Sequence, residues 1–154
     1  MSTVILLRHG RSTANAQGIL AGRSPGIELD ETGRAQADAV GERLAPLRLA
    51  RVVSSPLLRC VQTAEAVLAR QGGGEAITDD RLIECDYGQW QGRPLSELAR
   101  EPLWETVQTH PSQMVFPGGE SMRAMQDRAV AAVREIDAAV TASAGSGATW
   151  LAVS

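Results

Sequence analysis

The sequence predicts an α/β fold, a sandwich built on a mostly parallel sheet. Three observations predict it. Short apolar runs bounded by turn residues read as buried strands. They alternate with segments of helical periodicity, the pattern of strand–helix–strand units. No repeat, low-complexity block or long linker divides residues 1–154, so a single domain is expected.

Each element has its own signal. The run Thr3–Leu7 reads as the first buried strand. Beyond a loop rich in Gly and Asn, Asp30 can cap a helix from about Glu31 to Leu47, with Ala35, Ala39, Val40 and Leu44 on one face. Arg51–Ser54 reads as a second strand. Pro56 suits the first turn of a helix carrying Leu57, Leu58, Val61, Ala64, Val67 and Leu68. Gly72–Gly74 ends that helix, and Ala76–Thr78 reads as a third strand. From Arg81 to Phe116 the pattern is irregular, with helical pieces around Leu95–Arg100 and Leu103–Thr109. The clearest helix runs from Glu120 to about Ser143, with Met122, Met125, Ala129, Ala132, Val133, Ile136 and Val140 at helical spacing. Gly145 and Gly147 break it, and Ala148–Val153 reads as another buried strand. In sheets of this kind ligands bind at the carboxyl ends of the strands.

Composition narrows the function classes. A chain of 154 residues, 44% of them hydrophobic, can build one core, and with 3% aromatics that core is Leu, Val, Ile and Ala. A net charge of −3 argues against a nucleic-acid or anionic-membrane binder. The Arg residues are dispersed among 18 acidic ones, with no aromatic-basic stacking surface. All 15 basic residues are Arg, a bias that coding composition explains; oxyanion binding by planar forks can apply to only two or three of them. Cys60 and Cys85 lack metal or redox spacing, and Cys60 reads as a small buried hydrophobe. MSTVILLRHG has too short an apolar run for a signal peptide and lacks its basic start, and no segment approaches a membrane span. A cytoplasmic protein is expected.

Three loops hold the chemistry. In Arg8-His9-Gly10-Arg11-Ser12-Thr13-Ala14-Asn15, a His at a strand tip can present one ring nitrogen to a ligand. Gly10 permits close backbone approach, Arg8 offers a bidentate fork for phosphate oxygens, and Ser12 and Asn15 add neutral donors. In Ser54-Ser55-Pro56-Leu57-Leu58-Arg59, the first turn of a helix carries a second guanidinium, where helix dipole and fork both attract an anion. In Leu82-Ile83-Glu84-Cys85-Asp86-Tyr87-Gly88-Gln89-Trp90-Gln91-Gly92, Glu84 ends an apolar stretch, and partial desolvation there suits a carboxyl to general-acid work. No Asp/Glu/His cluster has metal-ligand spacing, so neither a metal nor another cofactor is expected.

Together, RHGRSTAN, LDETGRAQA, SSPLLRCVQTA, ECDYGQWQG and PGGES resemble the histidine phosphatase superfamily, in its phosphoglycerate-mutase-like branch. The resemblance covers almost the whole chain and leans toward actinobacterial members. It implies a three-layer α/β/α sandwich with a mostly parallel central sheet. It implies a histidine acid phosphatase-like phosphomonoesterase, metal-independent, that hydrolyses a small phosphorylated metabolite through a phosphohistidine. His9 matches the family's nucleophile, Glu84 its proton donor, Arg8 and Arg59 its phosphate-binding arginines, and Asn15 a further phosphate-site position.

The chain departs from the family at its last strand. There the family carries a second His; here the strand reads Ala148-Thr149-Trp150-Leu151-Ala152-Val153-Ser154. The expectation is a longer protein whose C-terminal part lies beyond this sequence, with little turnover from residues 1–154 alone. His110, before Pro111, matches no catalytic position and is expected to be exposed or structural. Two alternatives stand beside hydrolysis. One is a phosphoglycerate-type mutase, which the GQWQG segment disfavours, although Gln91 stands where the phosphatases often carry Glu. The other is a catalytically impaired phospho-ligand binding protein, which the departure at the last strand favours. Trp104 and Phe116 are expected either to roof the pocket or to pack its lid. A homo-oligomer is a further expectation, from pairing through an exposed final strand.

Overall fold

The computed structural model describes all 154 residues. Along the chain run β1 (Thr3–Leu7), α1 (Thr13–Ala16), α2 (Glu31–Leu44), β2 (Leu49–Ser54), α3 (Leu58–Arg70), β3 (Ile77–Thr78), α4 (Leu95–Leu98), α5 (Trp104–Thr109), α6 (Met122–Ala144) and β4 (Thr149–Val153). The strands form one parallel sheet in the order β1-β4-β2-β3.

The alternation along β4 divides the core. Leu151 and Val153 pack with Val52, Cys60, Ala64 and Val67, beneath α2 and α3. Trp150 and Ala152 point the other way, against Ala132, Ile136 and Val140 of α6. A strand buried on both faces reads as a continuous apolar run, as TWLAV does. The result is the three-layer α/β/α sandwich expected. Trp150 is fully buried, and its indole N–H reaches Asp137 at 3.2 Å.

Three expectations change. β4 lies inside the sheet, paired on both edges, so it offers no edge to a second chain; the edge strands are β1 and the two-residue β3, and Leu6 on β1 is 72% exposed. On α2, Val40 and Leu44 pack against the core as expected, but the fully buried positions are Gly33, Ala37 and Gly41, and Ala35 and Ala39 are exposed. A Cβ on Gly41 would lie 2.9 Å from the Ala66 carbonyl, so α2 meets α3 backbone to backbone. α6 begins at Met122 with Ser121 as its N-cap, which leaves Glu120 outside the helix.

Candidate active site

Leu7, Val153, Ser54 and Thr78 end level across the sheet, and pairing continues one residue further. His9 N–H donates to the Ser154 carbonyl at 2.9 Å, Ser55 N–H to that of Val153 at 2.8 Å, and Asp79 N–H to that of Ser54 at 3.0 Å. The loops after β1, β2 and β3 therefore leave the same carboxyl edge side by side.

His9 is half-buried, and its two neighbours fix its tautomer. Nδ1 lies 2.7 Å from the Gly10 carbonyl, which can only accept. Nε2 lies 3.1 Å from Arg59 Nε, which can only donate. The proton therefore sits on Nδ1 and the lone pair on Nε2. Burial holds the imidazole below its ordinary pKa of 6.5, helped by Arg59 and Arg8 and opposed by the Gly10 carbonyl and Glu84. The ring is neutral at pH 7.

The turn carrying His9 is clamped from two sides. Gly10 N–H donates to Thr63 Oγ1 at 3.2 Å, and that hydroxyl donates to the Arg59 carbonyl at 2.7 Å. A Cβ on Gly10 would lie 2.4 Å from the Gly33 carbonyl oxygen, and one on Gly33 only 1.9 Å from that of Arg11. The close approach expected of Gly10 is thus an approach to the first turn of α2.

Arg59, the second residue of α3, is 2% exposed. Its Nη2 donates to the Gly22 carbonyl at 3.0 Å, while Nη1 is the one buried side-chain polar atom in the chain with no partner. Neither Arg59 nor Arg8 has a carboxylate within ion-pair distance. Arg11, Arg23, Arg81, Arg93 and Arg128 all do. A buried, unpaired guanidinium is costly unless an anion completes it. Arg8 is exposed, and with Glu84 it lines an apolar groove of about 630 Å³ that includes Leu6, Met125, Val130 and Ala152.

Glu84 is half-buried, and its Oε1 accepts from Cys85 N–H at 2.9 Å and Tyr87 O–H at 3.3 Å. Burial and the Glu84 charge push the Tyr87 phenol up, so it stays a donor. Because Oε1 already accepts two hydrogen bonds, a proton on Glu84 belongs on Oε2.

The two neutral donors separate. Ser12 is fully buried as the N-cap of α1: its Oγ accepts from Asn15 N–H at 3.2 Å and donates to Asn15 Oδ1 at 2.9 Å. Its one proton is spent on the cap, which corrects its expected place among the phosphate donors. Asn15 is exposed, and its amide nitrogen keeps both N–H groups free.

Other residues take structural places. Phe116 is buried edge-on to Tyr87 at 4.8 Å and to Trp90 at 5.5 Å, and Trp104 stacks on Trp90 at 6.1 Å; both pack the lid. Gln91 Oε1 accepts from Arg23 N–H at 2.9 Å, tying the lid to the loop that carries Gly22. His110 is exposed, with Nδ1 2.9 Å from Thr109 Oγ1. Both thiols are buried, Cys60 pushed up to about 11 and Cys85 to about 12 by burial. No three His, Cys, Asp or Glu side chains converge as metal ligands would. No helix is long and apolar enough to cross a membrane. Tyr87, Arg23, Glu120 and Arg128, all of which touch Glu84 or its mount, carry no chemical role in the sequence motifs; the PGGES segment is the one available signal, for Glu120.

The sequence that builds this edge carries a family match. The profile of the histidine phosphatase superfamily (branch 1) matches residues 4–154. The chain belongs to this superfamily. It is 37% identical over 127 residues to the fructose-2,6-bisphosphatase TIGAR of Xenopus tropicalis, a match covering 80% of this chain and 46% of that protein. It is 32% identical over 137 residues to phosphoglycerate mutase-like protein 4 of Arabidopsis thaliana, covering 86% and 59%. Among solved structures, YhfR of Bacillus stearothermophilus superposes with a TM-score of 0.83 at 31% identity, covering 100% of this chain and 74% of that one. The chain thus spans about half the length of these curated relatives.

Proposed function

We propose that this member of the superfamily is a metal-independent phosphatase that hydrolyses a small phosphomonoester through a phosphohistidine at His9. The observation that carries the proposal is Arg59: buried, without a carboxylate, its Nε on the His9 lone pair and its Nη1 unpartnered. Such a planar fork suits two oxygens of a phosphate dianion, whose remaining contacts Arg8 and the Asn15 amide would complete from the exposed side.

The geometry supports the following course for the proposed reaction. A phosphoryl oxygen takes the Arg59 Nε–H and so frees Nε2 of His9. Nε2 attacks phosphorus in line, the P–O bond to the alcohol breaks, and Glu84 Oε2 gives its proton to the leaving oxygen. Charge on the equatorial oxygens is met by the two guanidiniums. Glu84, now ionised, takes a proton from water; the water oxygen attacks phosphorus, the P–N bond breaks, and its electron pair returns to Nε2. The proposed substrate is a small phosphorylated metabolite, and the proposed location is the cytoplasm.

The name of the Arabidopsis relative keeps a second reading open, a mutase that returns the phosphoryl group to another hydroxyl. Release of inorganic phosphate from phosphorylated sugars, glycerates and nucleotides, measured beside isomer interconversion of phosphoglycerate, separates the two. An acid-labile phosphoryl label is expected on the protein and not on His9→Ala. Stabilisation by phosphate with no label and no turnover would make this a binding protein instead.

A further inference from the structure

We infer that Arg128, fixed by Glu120, is a positioning residue for Glu84. The inference rests on the reading of Glu84 as the general acid. A guanidinium has five N–H donors in one plane, and Arg128 uses all five on the mount of Glu84. Nε and one Nη2 donor hold Glu120 at 2.7 and 2.9 Å. Both Nη1 donors reach main-chain carbonyls, of Arg81 at 2.7 Å and Ile83 at 2.6 Å. The other Nη2 donor reaches the carbonyl of Glu84 itself at 3.1 Å. That carbonyl accepts a second N–H, from Arg23 Nε at 2.9 Å.

Glu120 closes the arrangement from the other side. Besides Arg128 it accepts from Arg23 Nη2 and from Asp86 N–H, each at 3.2 Å, and its own N–H donates to the Asp86 carbonyl at 2.8 Å. A Cβ on Gly119 would lie 2.3 Å from that same carbonyl, so the two loops touch backbone to backbone. The residues on either side of Glu84 are therefore braced by two guanidiniums and one carboxylate, none of which reaches His9 or Arg59 by any hydrogen bond in the structure. A general acid must be held within about 0.5 Å of its working position, and about 1 Å of displacement costs roughly a hundredfold.

A Lys at this position keeps the charge beside Glu120 but offers three donors from one point, which cannot span three carbonyls and a carboxylate. Arg128→Lys and Glu120→Gln are each assayed with two substrates. p-Nitrophenyl phosphate expels a stable phenolate and needs little protonation; glycerol phosphate expels an alkoxide and needs the acid. For the variants, kcat/KM on glycerol phosphate, which reports the P–O cleavage step and not the later hydrolysis of the phosphohistidine common to both substrates, is expected to fall about tenfold or more, against less than about threefold on p-nitrophenyl phosphate. Equal losses of kcat/KM on the two substrates, or a lower melting temperature with no change in kcat/KM, would overturn the inference. Should Arg128→Lys fail to fold, Glu120→Gln carries the same comparison. All of these assays use the full-length protein; there, wild type that hydrolyses neither substrate and takes no phosphoryl label on His9 removes the proposed function, and the inference with it. An equal loss in the variants of an active enzyme removes only the inference.

Discussion

Arg59 donates its Nε–H to Nε2 of His9 at 3.1 Å, so the proposed phosphate ligand also covers the proposed nucleophile. A lone pair engaged in that bond cannot attack phosphorus. Only an acceptor that draws the N–H away restores it, and a phosphoryl oxygen is such an acceptor. In the proposed mechanism binding and activation are therefore the same event, with a single guanidinium switching between them.

Replacing Arg59 with Gln should separate its two effects. Turnover is expected to fall by about 10²–10³, the usual cost of losing one charged donor to a transition-state oxygen. The pKa of His9, followed by NMR titration, should rise, because a cation that lowers it has gone. An unchanged value would mean that burial alone holds the ring neutral. Stability should hold or increase, since Arg59 is buried with an unpartnered donor.

His9 also makes stability depend on pH in a defined window. Its folded pKa lies below 6.5, so the native state binds fewer protons here than the unfolded chain. The contribution is fully present above pH 6.5 and is lost as the pH falls through the folded value. Asp30, Asp79, Glu120 and Asp137 are also lowered, by partner N–H or O–H donors, so their losses come in more acid solution, below about pH 4. Urea unfolding between pH 7.5 and 5 should therefore show a steeper decline for wild type than for His9→Gln. Parallel slopes would place the titration elsewhere.

How much of this was legible in the sequence depended on the distance over which each signal acts. His9, Arg59 and Glu84 sit within a few residues of strand ends, and strand ends are what periodicity locates. The mount of Glu84 was not legible, because Glu120 and Arg128 reach it across 34 to 47 residues of chain. On α2, Val40 and Leu44 were legible as core-facing, but the closest part of its contact was not: an apolar stripe is sought among side chains, and Gly33 and Gly41 have none. Ser12 looked like a free hydroxyl, although Asn15 three residues on is a capping pattern that ties it down.

Ser12→Ala tests that reassignment. Loss of the cap should destabilise the protein by about 0.5–2 kcal/mol. Affinity for inorganic phosphate should change less than about twofold, because the hydroxyl proton is already engaged by Asn15. A large loss of phosphate affinity at unchanged stability would return Ser12 to the binding groups.

Gly33→Ala tests whether the packing of α2 sets the position of His9. The added methyl would meet the carbonyl oxygen of Arg11 at 1.9 Å, a main-chain atom that cannot swing aside as a flexible side chain could. The turn from Gly10 to Arg11 must then shift, and His9 is bonded into that turn through the Gly10 carbonyl. Overpacking of this kind costs about 1–3 kcal/mol. Ala35→Ser, on the exposed face of the same helix, should stay within about 0.5 kcal/mol of wild type. The decisive measurement is phosphatase activity of Gly33→Ala at a temperature where it remains fully folded. A shift of about 1 Å in the nucleophile lowers the rate roughly a hundredfold, so activity should stay low even where the fold is intact. Full activity there would show that the backbone relaxes around the methyl and leaves His9 in place.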